Sequence, residues 1–339
     1  MVHPIRILKY VGLSLITLCW LFFLLSWAPV YQPEEMEYGI TFSSKQSRDL
    51  GLDWKENYLA MLDDLKVERL RLPIYWDIVQ PEEGRFDWSE IDWQVDEAEK
   101  RGVDLILVVG TRVPRWPECH LPNWAKEAET VRRQEATLEY LRAAVTRYKQ
   151  RPTVSAWQVE NEPFLVLFGE CPPLDVSFLD KEIAEVRSLD SRPIIVTDSG
   201  ELSAWVPAAG RGDIFGSTLY RYTYSSTVDR YVHYPISPLF FRIKKNISNL
   251  FAHPQDWIII ELQGEPWGKK AFQELSLEER SKTMTPQKFT EMAEFARQTG
   301  FRTLYWWGVE YWYWEKTKND TPFYWEEAKH LFDITHGNR

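Results

Sequence analysis

The chain has 339 residues and a formal net charge of −10, from 50 Asp or Glu against 40 Lys or Arg. This negative balance argues against a nucleic-acid partner, because phosphate binding requires a basic surface. Apolar residues make up 44% of the chain, too many for a disordered protein. Aromatic residues reach 15%, with 17 Trp. They indicate a ring-rich core and a surface suited to flat, partly apolar ligands such as sugars.

The first thirty residues differ from the rest in composition. Residues 11–30 carry no charge, and about 20 apolar residues at ~1.5 Å each would cross a hydrocarbon core of ~30 Å. Arg6 and Lys9 precede this run and glutamates follow it. We therefore expect a cytoplasmic tail over 1–10, a transmembrane anchor over 11–30 and a linker over 31–36. A cleaved signal peptide ending near Ala28 is the alternative. Both place the body outside the cytoplasm, in the periplasm or the extracellular space, and the anchor makes the membrane a partner.

From residue 37 to residue 339 the pattern predicts one domain, in which short β-branched runs alternate with helical stretches. Predicted strands begin near residues 39, 69, 104, 154, 193, 213, 257 and 302. Predicted helices cover residues 54–66, 88–101, 132–149, 179–189 and 286–299. The interval between the fifth and sixth strands leaves room only for a very short helix.

The composition of the strands predicts how they are arranged. Runs such as 105–109 and 258–260 are apolar throughout, which is typical of parallel strands buried on both faces. Eight β-then-α units with right-handed crossovers predict an α/β fold, a (β/α)₈ barrel. An open doubly wound sheet is the alternative, but no Gly-rich phosphate loop follows the first strand.

Carboxylates follow the fourth and the seventh predicted strands. Glu162 lies in the run 157–163 and Glu261 directly follows the apolar run 258–260. In a barrel of this kind, both side chains would face the opening at the carboxyl ends of the strands. Glycoside cleavage uses such a pair, one as a proton donor and one as a nucleophile or base. The alternative interpretation is that both are solvated loop glutamates.

Several motifs in chain order resemble those of clan A glycoside hydrolases, the barrel group that includes families five, thirty-nine and forty-two. The resemblance covers most of residues 37–315. It rests on the segment 71–88 with Asp92 and the segment 102–107, on Pro114-Arg115-Trp116, and on Asn161-Glu162-Pro163. It implies a barrel that cleaves β-linked glycosides of oligo- or polysaccharides with retention of configuration.

The resemblance also implies a role for each matching position. Glu162 would be the acid/base and Glu261 the nucleophile. Asn161 would bind the sugar hydroxyl beside the anomeric carbon. Arg71 would support the nucleophile, and Tyr220 would contact it.

Aromatic positions are assigned in the same way. Trp307 or Trp306 corresponds to the tryptophan under the sugar, and Thr218 stands where the family has a histidine. Further candidate stacking platforms, each of which could instead be a core residue, are Trp116, Trp267 and Trp312.

Two neighbouring glutamates compete with the proposed pair. Glu160 lies two residues before Glu162, so strand alternation puts both on one side, and we expect Glu160 to be a deeper, hydrogen-bonded residue. Glu265 competes with Glu261 for the role of nucleophile, but it lies in a Gly-Glu-Pro turn rather than at the strand end.

Two cysteines lie in the predicted body, Cys119 and Cys171. By themselves they could be free thiols or a bridge. The barrel puts them in neighbouring loops after the third and fourth strands, so we expect a disulfide between them.

The sequence therefore predicts a retaining glycosidase that needs no metal and no cofactor. Two alternatives stay open. One is a tethered carbohydrate-binding barrel without activity, because fold does not fix function. The other is a transglycosylase, in which a sugar hydroxyl replaces water in the second step.

Overall fold

A computed structural model of the chain describes residues 4–26, 33 and 35–337. The strands are β1 Glu37–Thr41, β2 Arg69–Pro73, β3 Asp104–Val109, β4 Val154–Val159, β5 Ile194–Asp198, β6 Ile214–Leu219, β7 Tyr222–Ser225, β8 Arg230–His233, β9 Asp256–Gln263 and β10 Thr303–Trp307. The helices are α1 Pro4–Ser26, α2 Ser44–Asp49, α3 Trp54–Asp63, α4 Trp76–Val79, α5 Ser89–Glu99, α6 Asn123–Lys126, α7 Thr130–Tyr148, α8 Val176–Leu189, α9 Val206–Ala209, α10 Pro238–Ser248, α11 Leu277–Ser281, α12 Pro286–Gln298, α13 Val309–Lys318 and α14 Phe323–Gly337, with a 3₁₀ turn at Phe272–Glu274.

Eight of these strands form a closed parallel barrel in the order β1-β10-β9-β6-β5-β4-β3-β2. The predicted (β/α)₈ fold is thus confirmed, and the predicted strands correspond to the eight barrel strands. The short fifth interval contains only the four-residue helix α9. The sequence did not predict the antiparallel hairpin of β7 and β8, which lies between the sixth and seventh barrel strands.

The barrel interior and the surrounding helix layer form separate hydrophobic clusters. Inside the barrel a small cluster contains Ile106, Ala156, Ile195, Ile258, Ile260 and Tyr305. Ile259, between two interior residues, instead joins the large cluster between strands and helices. This alternation means that each strand is buried on both faces, which explains why the strands are apolar throughout.

The prediction of a transmembrane anchor over 11–30 is not confirmed. Helix α1 covers much of that run but also includes Arg6 and Lys9 near its start. Among the described residues, no helix has the length and apolar character needed to span a membrane. Residues 27–30 of the predicted anchor lie outside the described part of the chain.

Candidate active site

A β-bulge turns Glu261 towards the barrel interior. On β6, Ser217 pairs with Ile259 and the next residue, Thr218, pairs with Glu261, so β9 contains one extra residue at Ile260. The pairing of β9 with β10 shifts at the same place. Ile260 lies in the interior cluster, so strict alternation would turn Glu261 outward. The bulge adds a residue and re-aims the glutamate inward.

Arg71 and Tyr220 hold the carboxylate of Glu261. Arg71, on β2, is fully buried and donates from Nη1 to Glu261 Oε1 at 2.8 Å. The Tyr220 hydroxyl, just after β6, donates to Glu261 Oε2 at 3.0 Å. Both oxygens of Glu261 therefore have a fixed donor, and the guanidinium compensates the buried negative charge.

The same guanidinium also orders the residues beside Glu162. Arg71 donates from Nε to Gln158 Oε1 at 2.8 Å and from Nη2 to Asn161 Oδ1 at 2.7 Å. Three of its nitrogens thus reach three acceptors on β9 and on β4 with its following turn. A planar guanidinium with a fixed set of donors suits this bridging position.

Glu162 lies in the turn after β4 with little exposed surface. Its Oε1 accepts from the Thr218 hydroxyl at 3.2 Å, and its backbone N–H donates to Thr197 Oγ1 at 2.8 Å. Burial raises the pKa of Glu162 well above its usual range, and the negative charges of Glu261 and Glu118 raise it further. This shift favours the protonated form of Glu162, the form that a proton donor needs.

The carboxyl groups of Glu162 and Glu261 lie close enough to interact electrostatically. Thr218 is the strand neighbour of Glu261 and hydrogen-bonds to Glu162. Arg71 binds Glu261 and also Asn161, the residue that precedes Glu162. Two buried glutamates, one with a raised pKa and one next to an arginine, are thus brought together at the carboxyl ends of the barrel strands.

Glu118 joins this site from the loop after β3, a contact that the sequence did not reveal. Its Oε2 accepts from Asn161 Nδ2 at 3.1 Å. Burial raises the pKa of Glu118 to about 7, although the nearby cation of Arg112 opposes the shift. Glu118 both orients Asn161 and changes charge near neutral pH, close to Glu162.

Glu160 points away from Glu162, contrary to the expectation from strand alternation. Strand β4 ends at Val159, and both glutamates have positive φ angles, 57° and 43°. Alternation therefore no longer applies. Glu160 accepts hydrogen bonds from the backbone N–H groups of Thr111 and Arg112, each at 2.7 Å. As expected it is hydrogen-bonded, and its partners belong to the loop after β3.

Glu265 belongs to a buried charge cluster at the same end of the barrel. It pairs with Arg115, which also donates to Glu310 at 2.5 Å. The Trp307 indole donates to Glu265 Oε1 at 2.8 Å, and the guanidinium of Arg115 lies 4.1 Å from the centre of a Trp307 ring. Glu265 Oε2 is buried without a partner among the described residues. This oxygen is available to a hydroxyl group of a bound ligand.

The structure separates the candidate tryptophans into core and mouth residues. Trp306 is fully buried and stacks on Phe289 at 4.7 Å, so it is a core residue. Of the two alternatives left open for Trp312, the core residue is the one found, because Trp312 is fully buried and its indole donates to the carbonyl of Gly264. Trp116 is 61% exposed, and Trp267 is partly exposed beside Tyr220.

A disulfide joins Cys119 to Cys171, the pair predicted from the barrel. It ties the loop after β3 to the loop after β4. The two loops also share a backbone hydrogen bond from Glu170 N to Pro117 O at 2.9 Å. The segment that follows Glu162 is therefore fixed to the neighbouring loop.

Sequence reasoning missed several residues of the site. One signal was available for Gln158, a polar residue within an otherwise apolar strand. No local pattern marks the others, which are Glu118 and Arg115 in the loop after β3, Thr197 on β5 and Glu310 at the start of α13. In the described part of the chain, no group of three or more His, Cys, Asp or Glu side chains has the arrangement of a metal site.

Comparison with known families identifies a partial match. Residues 50–172 match the sequence model of glycoside hydrolase family 42, described as beta-galactosidase. This segment includes Arg71, Asn161 and Glu162 but stops before Glu261.

Two curated proteins match parts of the chain. Mannan endo-1,4-beta-mannosidase A from Aspergillus aculeatus is 25% identical over 183 residues, which are 50% of this chain and 42% of that protein. Beta-galactosidase Bga from Halorubrum lacusprofundi is 26% identical over 128 residues, 32% of this chain and 18% of that protein. The matched parts thus span less than half the length of these relatives.

Among solved structures, the cold-adapted beta-galactosidase from Rahnella sp. R3 is similar with a TM-score of 0.60 and 11% identity. The alignment covers 91% of this chain and 57% of that one. This likeness concerns the fold.

Proposed function

We propose that this protein is a retaining β-glycosidase that acts on oligo- or polysaccharides. The observation that carries the proposal is the proximity of two buried glutamates at the carboxyl ends of the barrel strands, Glu162 with a raised pKa and Glu261 bound by Arg71. The family 42 match over residues 50–172 and the glycosidase names of the partial relatives support the same reaction class.

In the proposed first step, Glu261 attacks the anomeric carbon while Glu162 transfers its proton to the leaving oxygen. Glu162, then a carboxylate, removes a proton from water as that water releases the sugar from Glu261. Tyr220 and Arg71 hold the nucleophile in place, and Asn161 is oriented to meet a sugar hydroxyl.

Further residues supply the hydrogen-bond acceptors and aromatic surfaces that are typical of sugar binding. The unpartnered Glu265 Oε2 can accept from a hydroxyl, and Trp307 provides an aromatic surface beside it. Trp267 extends the aromatic surface beside Tyr220. We also propose that the protein works outside the cytoplasm, which the disulfide between Cys119 and Cys171 supports.

A panel of chromogenic β-glycosides on three variants tests the function. Glu162→Gln should lower kcat for substrates with poor leaving groups by about 10²–10⁴, and Glu261→Gln should lower activity by at least as much. The control is Glu315→Gln, because Glu315 is also buried and ion-paired, to Arg280, but plays no part in the site. It should retain wild-type activity.

The stereochemistry of the product provides a second test. NMR of the first product formed should show the β-anomer, since two displacements retain configuration. Wild-type protein that cleaves no glycoside of the panel, or a Glu162→Gln or Glu261→Gln variant as active as wild type, would contradict the proposal. An α-anomer as the first product would contradict the mechanism alone.

A further inference from the structure

Exposed apolar side chains form a rim at the mouth of the barrel. The rim consists of the exposed side chains of Trp116, from the loop after β3, and of Val166 and Leu167, from the loop after β4, together with the partly exposed Phe168 of the latter loop. Leu167 is 95% exposed, Val166 64% and Trp116 61%. Large apolar side chains that are grouped on a protein surface often mark a binding site, whereas single scattered ones do not.

The rim is continuous with the candidate active site. Trp116 contacts Phe168 with ring centres 5.8 Å apart, and Phe168 contacts Trp267 at 5.4 Å. Trp267 in turn contacts Tyr220 at 5.2 Å, and the Tyr220 hydroxyl binds Glu261. A continuous series of aromatic contacts therefore connects the proposed nucleophile to the exposed rim.

The rim is also fixed relative to the proton donor. Val166 and Leu167 are the fourth and fifth residues after Glu162, and the intervening turn is closed by a hydrogen bond from Leu165 N to Glu162 O at 2.9 Å. The disulfide of Cys171 closes the far end of the loop. A preformed apolar surface binds a ligand without the cost of ordering a loop.

Its position indicates which part of a substrate the rim would meet. A proton donor must face the leaving oxygen, so the leaving group departs on the side of Glu162. The rim begins on the loop that contains Glu162, and it presents carbon rather than hydrogen-bonding groups. An apolar leaving group matches this surface, whereas a second sugar would find few polar partners there.

We propose that the rim binds an apolar aglycone, so that the preferred substrates are oligosaccharides joined by a β-glycosidic bond to an alkyl or aryl leaving group. This inference deepens the proposed function and depends on it for turnover. Binding of such a glycoside by the rim does not depend on turnover, and it can be measured separately.

The test compares octyl and methyl β-glycosides of the sugar that reacts best in the panel, below the micelle concentration. We expect wild type to prefer the octyl compound about tenfold in kcat/KM, from burial of several methylene groups. Leu167→Ser should lose most of that preference and keep its kcat/KM for the methyl glycoside. Leu250→Ser is the matched control, since Leu250 is 72% exposed in the loop before β9, at the opposite end of the barrel.

Calorimetric binding of the same compounds separates this inference from the proposed function. Tighter binding of octyl than methyl glycoside by wild type but not by Leu167→Ser supports the rim, even in a protein that cleaves neither. Equal affinity of wild type for both compounds overturns the inference whatever the turnover. Concentration-dependent dimerisation of wild type that Leu167→Ser abolishes would also overturn it, because a second copy would then occupy the rim.

Discussion

Replacing Arg71 with methionine should destabilise the fold as well as the site. The guanidinium is fully buried and donates to Glu261, Gln158 and Asn161 at 2.7–2.8 Å. Methionine fills much of the same volume but leaves the Glu261 charge without its cation. Breaking a buried ion pair on one side costs about 3–5 kcal/mol. We expect the free energy of unfolding of Arg71→Met to fall by that amount.

Urea unfolding followed by tryptophan fluorescence measures this loss, because tryptophans lie throughout the core. Arg142→Met is the control: Arg142 also pairs with a glutamate, Glu185 at 2.7 Å, but its side chain is 49% exposed. A pair so accessible to water contributes little, so this variant should unfold close to wild type.

A second substitution at the same position tests the same reasoning. Arg71→Lys keeps the positive charge but loses the planar set of guanidinium donors, and its destabilisation should be smaller than that of Arg71→Met. An Arg71→Met protein as stable as Arg142→Met at neutral pH would refute the argument that burial makes this ion pair important.

Two other substitutions test the surroundings of the glutamates that follow β4. Glu118→Gln should move the alkaline limb of the pH–rate profile to lower pH, because the Glu118 carboxylate raises the pKa of Glu162. A limb at the wild-type pH would show that Glu118 does not influence the proton donor. Gly110→Ala should destabilise the protein by about 2 kcal/mol or more in urea unfolding, because Gly110 has φ 128° and an added Cβ would clash with the Glu160 carboxyl. Gly51→Ala, with φ 66° and open space around the added Cβ, should cost about 1 kcal/mol, and equal losses in the two variants would contradict the clash.

The barrel itself could be predicted because its strands have one simple property. Runs such as 105–109 and 258–260 are apolar throughout, since parallel strands are buried by the interior on one face and by helices on the other. The hairpin of β7 and β8 lacks this property. The hairpin is partly exposed and its residues are a mixture of polar and aromatic types. Its composition is therefore like that of a loop.

The orientation of the glutamates could not be predicted from strand periodicity. A bulge at Ile260 turns Glu261 inward, and positive φ angles at Glu160 and Glu162 end the alternation after β4. Bulges and left-handed residues other than Gly depend on tertiary packing, and no local pattern marks them. The comparison of motifs identified the glutamate pair, whereas alternation alone would have placed Glu160 beside Glu162.

The two catalytic candidates differ in neighbours rather than in burial. Glu162 and Glu261 are 5% and 3% exposed, so both side chains are almost completely removed from water. Glu261 receives a guanidinium N–H from Arg71 and a hydroxyl from Tyr220, donors that stabilise a carboxylate. Glu162 receives the Thr218 hydroxyl, and the acidic side chains of Glu261 and Glu118 oppose its ionisation. One arginine on β2 thus supplies a cation to one glutamate, and the acidic side chains around the other raise its pKa.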